Sequence, residues 1–363
     1  MPYSTLSHRE RVRLALEHQE TDRVPIAMVC SGINRPAYEA LQRWLARERG
    51  ITVDAYLEPL IDIKGVGPDY VGPALPSATD MWGVHRSPVS YGADAYMEID
   101  HYPLGEAKDP ADVASHRWPS ADWFDYSVLP RRIADAQANG EYCLMLANGN
   151  IFESSWYMRG FERMFMDLAT NPELAHAIFE RVTSFFVEHF TRALAAAGGQ
   201  VDLVFTADDI GGQNGLLMSL AMWEEHLKPY HERLNRVIHE FGAKVIYHSD
   251  GAVMDAVPGL IAMGIDVLQA LQFDARGMDP VALKRNYGDV LCFEGGVSVQ
   301  KTLPFGTPDG VRAEVCRLID VLGRGGGYIL GPSHAIQAGT PPENIVALFD
   351  TAASHTPSTR GRR

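Results

Sequence analysis

His248-Ser249-Asp250 sets an imidazole and a carboxylate one residue apart, so in an extended segment both side chains point to the same side. Neutral imidazole with carboxylate is a ligand pair for zinc or another divalent metal, and His334 near the end of the chain offers a third donor. Without a metal, the same two residues read as a hydrogen-bonded pair orienting the turn at Gly251, or as a catalytic histidine with its partner. Asp208-Asp209 can serve as acid and base, hold a cationic substrate group or bind metal; the plain alternative is capping of the next loop or helix. Adjacent carboxylates in an extended chain face opposite ways, so one of the two is expected to point into a site. The catalytic candidates are therefore Asp208, Asp209 and His248, and the metal candidates His248, Asp250 and His334.

Further polar side chains follow apolar runs in the same manner. They are Asn148, Asn150 and Glu153, then Gln213, then Gln269 and Gln272, then Glu294, then Ser333. Asn148, Glu153, Gln213 and Gln272, with the aromatic Trp156 and Tyr157, are the candidates for binding substrate, and Trp82 is a further aromatic candidate for the pocket wall. Glu153 lies six residues before Arg159, and an ion pair between the two is the competing reading. Aromatic side chains are more often core than ligand-facing.

These residues share a position relative to the elements around them. Short apolar runs at 143–148, 201–207, 244–248, 265–271, 289–295 and 326–332 alternate with longer amphipathic segments, the pattern of βα units around a parallel sheet. Residues 172–197 carry Leu174, Ile178, Val182, Phe185, Phe186 and Phe190 at helical spacing, opened by Pro172 and ended by Gly198-Gly199. Helices are also expected from Ser219, from Thr307-Pro308 and over 341–353. VPIAMV (24–29) supplies a seventh strand, and an eighth is expected within 57–100, with a hairpin at 84–99. In a (β/α)8 barrel, chemistry sits at the carboxyl ends of the strands, where the polar residues named above fall.

Composition limits the function classes. A chain of 363 residues with 46% hydrophobic and 21% charged residues can bury a large core. Its 32 Lys and Arg against 46 Asp and Glu give a formal charge of −14, which disfavours nonspecific binding to nucleic acid or an anionic membrane. The four cysteines Cys30, Cys143, Cys292 and Cys316 have no CxxC or CxC spacing, so neither a disulfide framework nor a thiolate zinc knuckle is read from them. The first twenty residues lack the apolar stretch of a signal peptide, and a cytoplasmic protein is expected.

The segments VPIAMVCSGINRPAY, GNIFESSWYMRGFERMFMDLATNPELA, ADDIGGQ, YHSDGAV, FEGGVSVQKTLPFGTPDGVRAEV and GGYILGPSHAIQAGTPPENI resemble the uroporphyrinogen decarboxylase superfamily over almost the whole chain. His334 followed by Pro341-Pro342-Glu343-Asn344 is the most characteristic piece. The resemblance implies a single distorted (β/α)8 TIM-type barrel over residues 1–353, with an extended N-terminal region, a deep cleft and a disordered tail at 354–363. Decarboxylases of the superfamily carry a loop of the form RQAGRY after the first strand, whose arginines hold substrate carboxylates. Here that position reads Val29, Cys30, Ser31, Gly32, Ile33, Asn34, Arg35, which argues against a porphyrinogen substrate.

The branch resembling coenzyme M methylases holds zinc with a His-x-Cys pair and a later Cys; here the equivalents are His248 and Asp250, then Ser333-His334. Nitrogen and oxygen donors make a harder site, less suited to a thiolate and still suited to polarising an ether or hydroxyl oxygen. The nearest resemblance is to HSDG-bearing members similar to corrinoid-dependent methyltransferases. It implies a methyltransferase that moves a methyl group from a small, methoxylated substrate to a corrinoid protein, assisted by zinc or another divalent metal. A homodimer is the usual family assembly. The rival readings are a metal-free decarboxylase or lyase of a small, non-porphyrin carboxylate, and a barrel that binds without catalysing.

Overall fold

The computed structural model describes residues 6–30, 32–90, 92 and 95–356. In chain order the strands are β1 Ile63–Gly65, β2 Asp69–Tyr70, β3 His85–Ser90, β4 Ala95–His101, β5 Phe124–Asp125, β6 Cys143–Asn150, β7 Leu203–Ala207, β8 Lys244–His248, β9 Val267–Gln269, β10 Cys292–Val297 and β11 Tyr328–Pro332. β1 and then β6 to β11 form one parallel sheet, each strand hydrogen-bonded to the next. Residues 24–27 close it. Leu330 N–H donates to Pro25 O at 2.8 Å and Ala27 N–H to Leu330 O at 2.9 Å, while on the other side Asp62 N–H donates to Ile26 O at 2.8 Å. The result is a single α/β barrel of the TIM type, with the closing segment as its eighth member.

The strand missing from the sequence pattern is β1. It is three residues long and sits among glycine- and proline-rich loops, too short to show a period of its own. The expected hairpin is the antiparallel pair β3 and β4. β2 and β5 form a second small antiparallel pair.

Alternation along each strand sends one set of side chains into the barrel. Ala27, Ile63, Cys143, Met145, Leu203, Phe205, Ala207, Ile246, Val267, Cys292 and Ile329 pack there as one cluster, with Val12 of the helix His8–Leu16 against them. The other set packs under the surrounding helices. The longest of these, Pro172–Ala197, starts on Pro172 and stops at Gly198, whose φ of 60° is the left-handed conformation that glycine adopts without a Cβ penalty. Its Phe185 and Phe186 receive the Trp82 ring at centroid distances of 5.2 and 5.8 Å. Trp82 is therefore a core residue and not part of the pocket wall.

The lower end of the barrel is pinned by one carboxylate. Asp62 is fully buried and accepts from Arg11 Nη1 at 2.7 Å, Arg23 Nη1 at 2.6 Å, Ile26 N–H at 2.7 Å and the His8 ring at 2.7 Å. The last helix runs Pro342–Ser354, and residues 357–363 of the expected tail lie outside the described residues. No helix among the described residues is long and apolar enough to cross a membrane.

Candidate active site

The two aspartates after β7 have separate surroundings. Asp208 is buried and accepts from the Phe152 and Glu153 backbone N–H groups at 2.7 and 2.8 Å and from His231 Nε2 at 2.5 Å. It thus satisfies first-turn N–H groups of the helix Ile151–Arg159, a role for which an anion at a helix N-terminus is suited. Asp209 is half-buried and faces the barrel mouth. Its Oδ1 accepts Asp250 N–H at 2.7 Å and stands 3.6 Å from His248 Nε2.

The segment after β8 is held on every side. Ser249 N–H donates to Gln269 O at 2.8 Å, Ile210 N–H donates to Ser249 Oγ at 3.0 Å, and Gly251 N–H donates to Gln272 Oε1 at 2.8 Å. Gly251 has φ 85°, and a Cβ there would lie 2.5 Å from the Gly211 carbonyl carbon, so only glycine lets the two loops meet. Gln272 is thereby a backbone partner of the turn. Held in this way, Asp209, His248 and Asp250 each offer one ligand atom within 4.8 Å of the others.

The third expected donor arrives from β11, and a fourth that the sequence reading did not single out arrives with it. Ile33 pairs with Ile336 and Asn34 Nδ2 donates to Gln337 Oε1 at 3.1 Å, so the loop after the closing segment runs beside the loop after β11. That register brings Cys30 to His334, and Cys30, His248 and His334 also lie within 4.8 Å of one another through one ligand atom each. His334 Nε2 is 4.0 Å from Asp250 Oδ2. Two donors at about 2.0–2.2 Å from one ion stand no more than about 4.4 Å apart, a limit met by Asp209 with His248 at 3.6 Å and by Asp250 with His334 at 4.0 Å, each taken as a pair.

Beside the donors lies a second acidic feature. Glu153 is 9% exposed; it accepts from Asn150 Nδ2 at 2.6 Å and from the Tyr157 hydroxyl at 3.1 Å. Burial, then the charges of Asp209 and Asp208, push its carboxyl up to about 7. Asp250 also lies above its ordinary value, again through burial first, with His248 acting the other way. Arg159 makes no pair with Glu153. It is taken by Asp167, at 2.6 Å, and by the carbonyls of Leu104, Gly105 and Ala107, each at 2.9 Å.

Tyr157 and Trp156 meet edge to face with centroids 4.3 Å apart, and the Arg86 guanidinium covers the Tyr157 ring at 5.1 Å. Asn148 is exposed on the bulged end of β6. Gln213 is exposed on the loop after β7, and its carbonyl accepts Arg276 N–H at 2.9 Å. Among the expected binding residues, Glu153, Tyr157 and Trp156 adjoin one another.

The family model for uroporphyrinogen decarboxylase matches residues 87–355. A uroporphyrinogen decarboxylase of Aromatoleum aromaticum is 29% identical over 203 residues, covering 53% of this chain and 52% of its own length, so this chain spans about half of that relative. One from Alkalilimnicola ehrlichii is 24% identical over 384 residues, 96% of this chain and 94% of that protein. The methylated-thiol–coenzyme M methyltransferase of Methanosarcina mazei is 30% identical over 212 residues, 58% of this chain and 52% of that one. Among solved structures, a methyltransferase from Methanosarcina mazei superposes with a TM-score of 0.69 over 96% of this chain and 98% of its own, at 16% identity, a likeness of fold.

Proposed function

Because the chain belongs to the uroporphyrinogen decarboxylase family, we propose that its barrel transfers a methyl group from a small, methoxylated substrate to a corrinoid carried by a separate protein, with a divalent metal at the mouth. The observation that carries this reading is the convergence of His248, Asp250, Asp209, His334 and Cys30 in two overlapping donor groups at the strand ends. A relative named for methyl transfer to coenzyme M supports the same direction.

His248 and Asp250 would hold zinc or a similar ion, with His334, Asp209 or Cys30 completing the set. Cys30 would soften a set otherwise made of nitrogen and oxygen. When bound, such an ion supplies a Lewis acid for the ether oxygen. The chain's own residues supply the rest. Loss of the methyl group leaves an oxygen that must take a proton, and a carboxyl pushed up to about 7 at Glu153 is protonated in a large share of molecules at neutral pH, where an ordinary glutamate is not. Tyr157 and Asn150 keep that carboxyl in place. Trp156 and Tyr157, half-buried beside Glu153, would supply apolar contact to a small substrate. Porphyrinogen decarboxylation fits poorly. Arg35, the arginine of the first loop, is exposed and paired with Glu39, and an acidic mouth repels a tetrapyrrole with many carboxylates.

Metal analysis of the purified full chain tests the proposal. About one divalent ion per chain is expected, together with methyl transfer that the chelated protein loses, and His248→Ala should lose metal and activity together. A preparation with only traces of metal that remains fully active would overturn it. That result would favour a metal-free lyase using Glu153 and Asp209 as its acid and base.

A further inference from the structure

Glu294 is a fully buried acid near the mouth that the proposed reaction does not use. It is 0% exposed, and among the described residues neither of its carboxyl oxygens reaches a hydrogen-bond partner in ordinary geometry. Leaving an acid unpartnered in a barrel interior is costly unless it does something there. The barrel makes room for it. At Gly331 an added Cβ would lie 2.7 Å from Glu294 Oε1 and 2.5 Å from the Ala27 carbonyl oxygen.

Strand register explains what Glu294 stands beside. His248 pairs with Gln269 across β8 and β9, while Cys292 and Phe293 pair with Val267 and Leu268 across β9 and β10. The next pair in that register is Gln269 with Glu294. His248, Gln269 and Glu294 therefore form a row on three successive strands, pointing into the barrel with Val267 and Cys292 one step below. The row is sealed, since Gln269 is 0% exposed and His248 is 6% exposed. At one end, His248 Nδ1 is hydrogen-bonded to Gln269 Oε1. At the other, Gln269 Nε2 has no partner in ordinary geometry among the described residues. Burial pushes the Glu294 carboxyl well above its ordinary value, and hydrogen bonding with the Gln269 amide is what acts against that shift.

We infer that Glu294 is a positioning residue that, through Gln269, decides which nitrogen of His248 carries the proton. An amide has an acceptor end and a donor end. Gln269 Oε1 is the end that faces His248, so the NH2 end is the one left for an acceptor oxygen of Glu294, and it is as a donor that Gln269 opposes the upward shift of that carboxyl. The amide oxygen then faces His248, and only a protonated Nδ1 satisfies it. Nε2 is left with its lone pair toward Asp209 and the mouth, the form that a base or a metal ligand requires. Were the amide reversed, Nε2 would hold the proton and be closed to both roles. The use made of that lone pair rests on the proposed function; the proton's location does not.

The test reads the histidine ring nitrogens by NMR in the full chain. The protein is treated with chelator and held at mildly alkaline pH, with His248→Gln to assign the signals. The wild type should show Nδ1 protonated. Glu294→Gln, whose amide oxygen still accepts, should look the same. Glu294→Leu should raise the Nε2-protonated form from a trace to a major fraction and weaken zinc affinity by about tenfold or more. If the leucine variant does not fold, Glu294→Met gives an unbranched side chain without an oxygen. An Nε2-protonated His248 in the wild type, or an unchanged ratio in a folded leucine or methionine variant, would overturn the inference. Nδ1 protonation in a protein that binds no zinc would instead sink the metal reading and leave this one standing.

Discussion

Glu153 binds its proton more tightly in the folded chain than in the unfolded one, where a glutamate titrates near its ordinary value of about 4.3. The sign of the stability effect follows. The folded state holds the extra proton between that value and about 7, so this residue's favourable contribution is present at low pH and is lost as pH rises through the window. Glu153→Gln should therefore raise the melting temperature at pH 8 and change it little at pH 4, because the amide can keep the contacts to Tyr157 and Asn150 without a charge. A melting curve at the two pH values checks this, and equal shifts at both would count against it. The same substitution should lower turnover at neutral pH by about a hundredfold or more if Glu153 supplies a proton. His248, Asp250 and His334 were legible because each follows an apolar run that reads as a strand. Cys30 was not, since its approach to His334 depends on a register between segments three hundred residues apart. The sequence also could not divide the labour between Asp208 and Asp209; that is set by His231, a residue on a helix face with no mark of its own.

At the scale of elements, the mouth depends on loops locked to their neighbours. Asp208 joins the end of β7 to the start of the helix Ile151–Arg159 and to His231. Asp208→Ala leaves two helix N–H groups and a buried imidazole without partners, and should cost about 3 kcal/mol in denaturant unfolding. Gly251→Ala meets both a left-handed backbone and the Gly211 carbonyl carbon. It should displace Asp250 and reduce metal occupancy far more than it reduces overall helix content, as circular dichroism with metal analysis would show. Helix ends were readable from capping residues: Ser219 and Thr307 each accept a first-turn N–H, from Met222 and Gly310. β1 was not readable, because three residues cannot display alternation and their place in the sheet is set by pairing with β6.

Across the whole molecule, the buried charge cluster under the barrel has the largest predicted effect. Burial alone would raise the Asp62 carboxyl. The His8 hydrogen bond and the charges of Arg23 and Arg11 outweigh burial and hold it below its ordinary value. Its contribution is thus present above the ordinary aspartate range and is lost as pH falls through the lowered value. Asp62→Ala leaves Arg11, 1% exposed, without this carboxylate, and should cost about 3–5 kcal/mol at pH 7 and much less near pH 2, as urea unfolding at the two pH values would report. Cys30 and the closing segment 24–27 have a consequence of another kind. During synthesis both leave the ribosome some three hundred residues before their hydrogen-bonding partner Leu330 and their donor partner His334. Strand pairing in the order of the sheet can proceed from β6 to β10 as the chain emerges; the first segment can already meet Asp62, while Ala27 N–H and Pro25 C=O wait for Leu330. A nascent chain stalled before residue 328 should therefore be protease-sensitive at residues 24–30 and unable to gather the complete donor set, so the proposed ion site would form only once the last strand has paired.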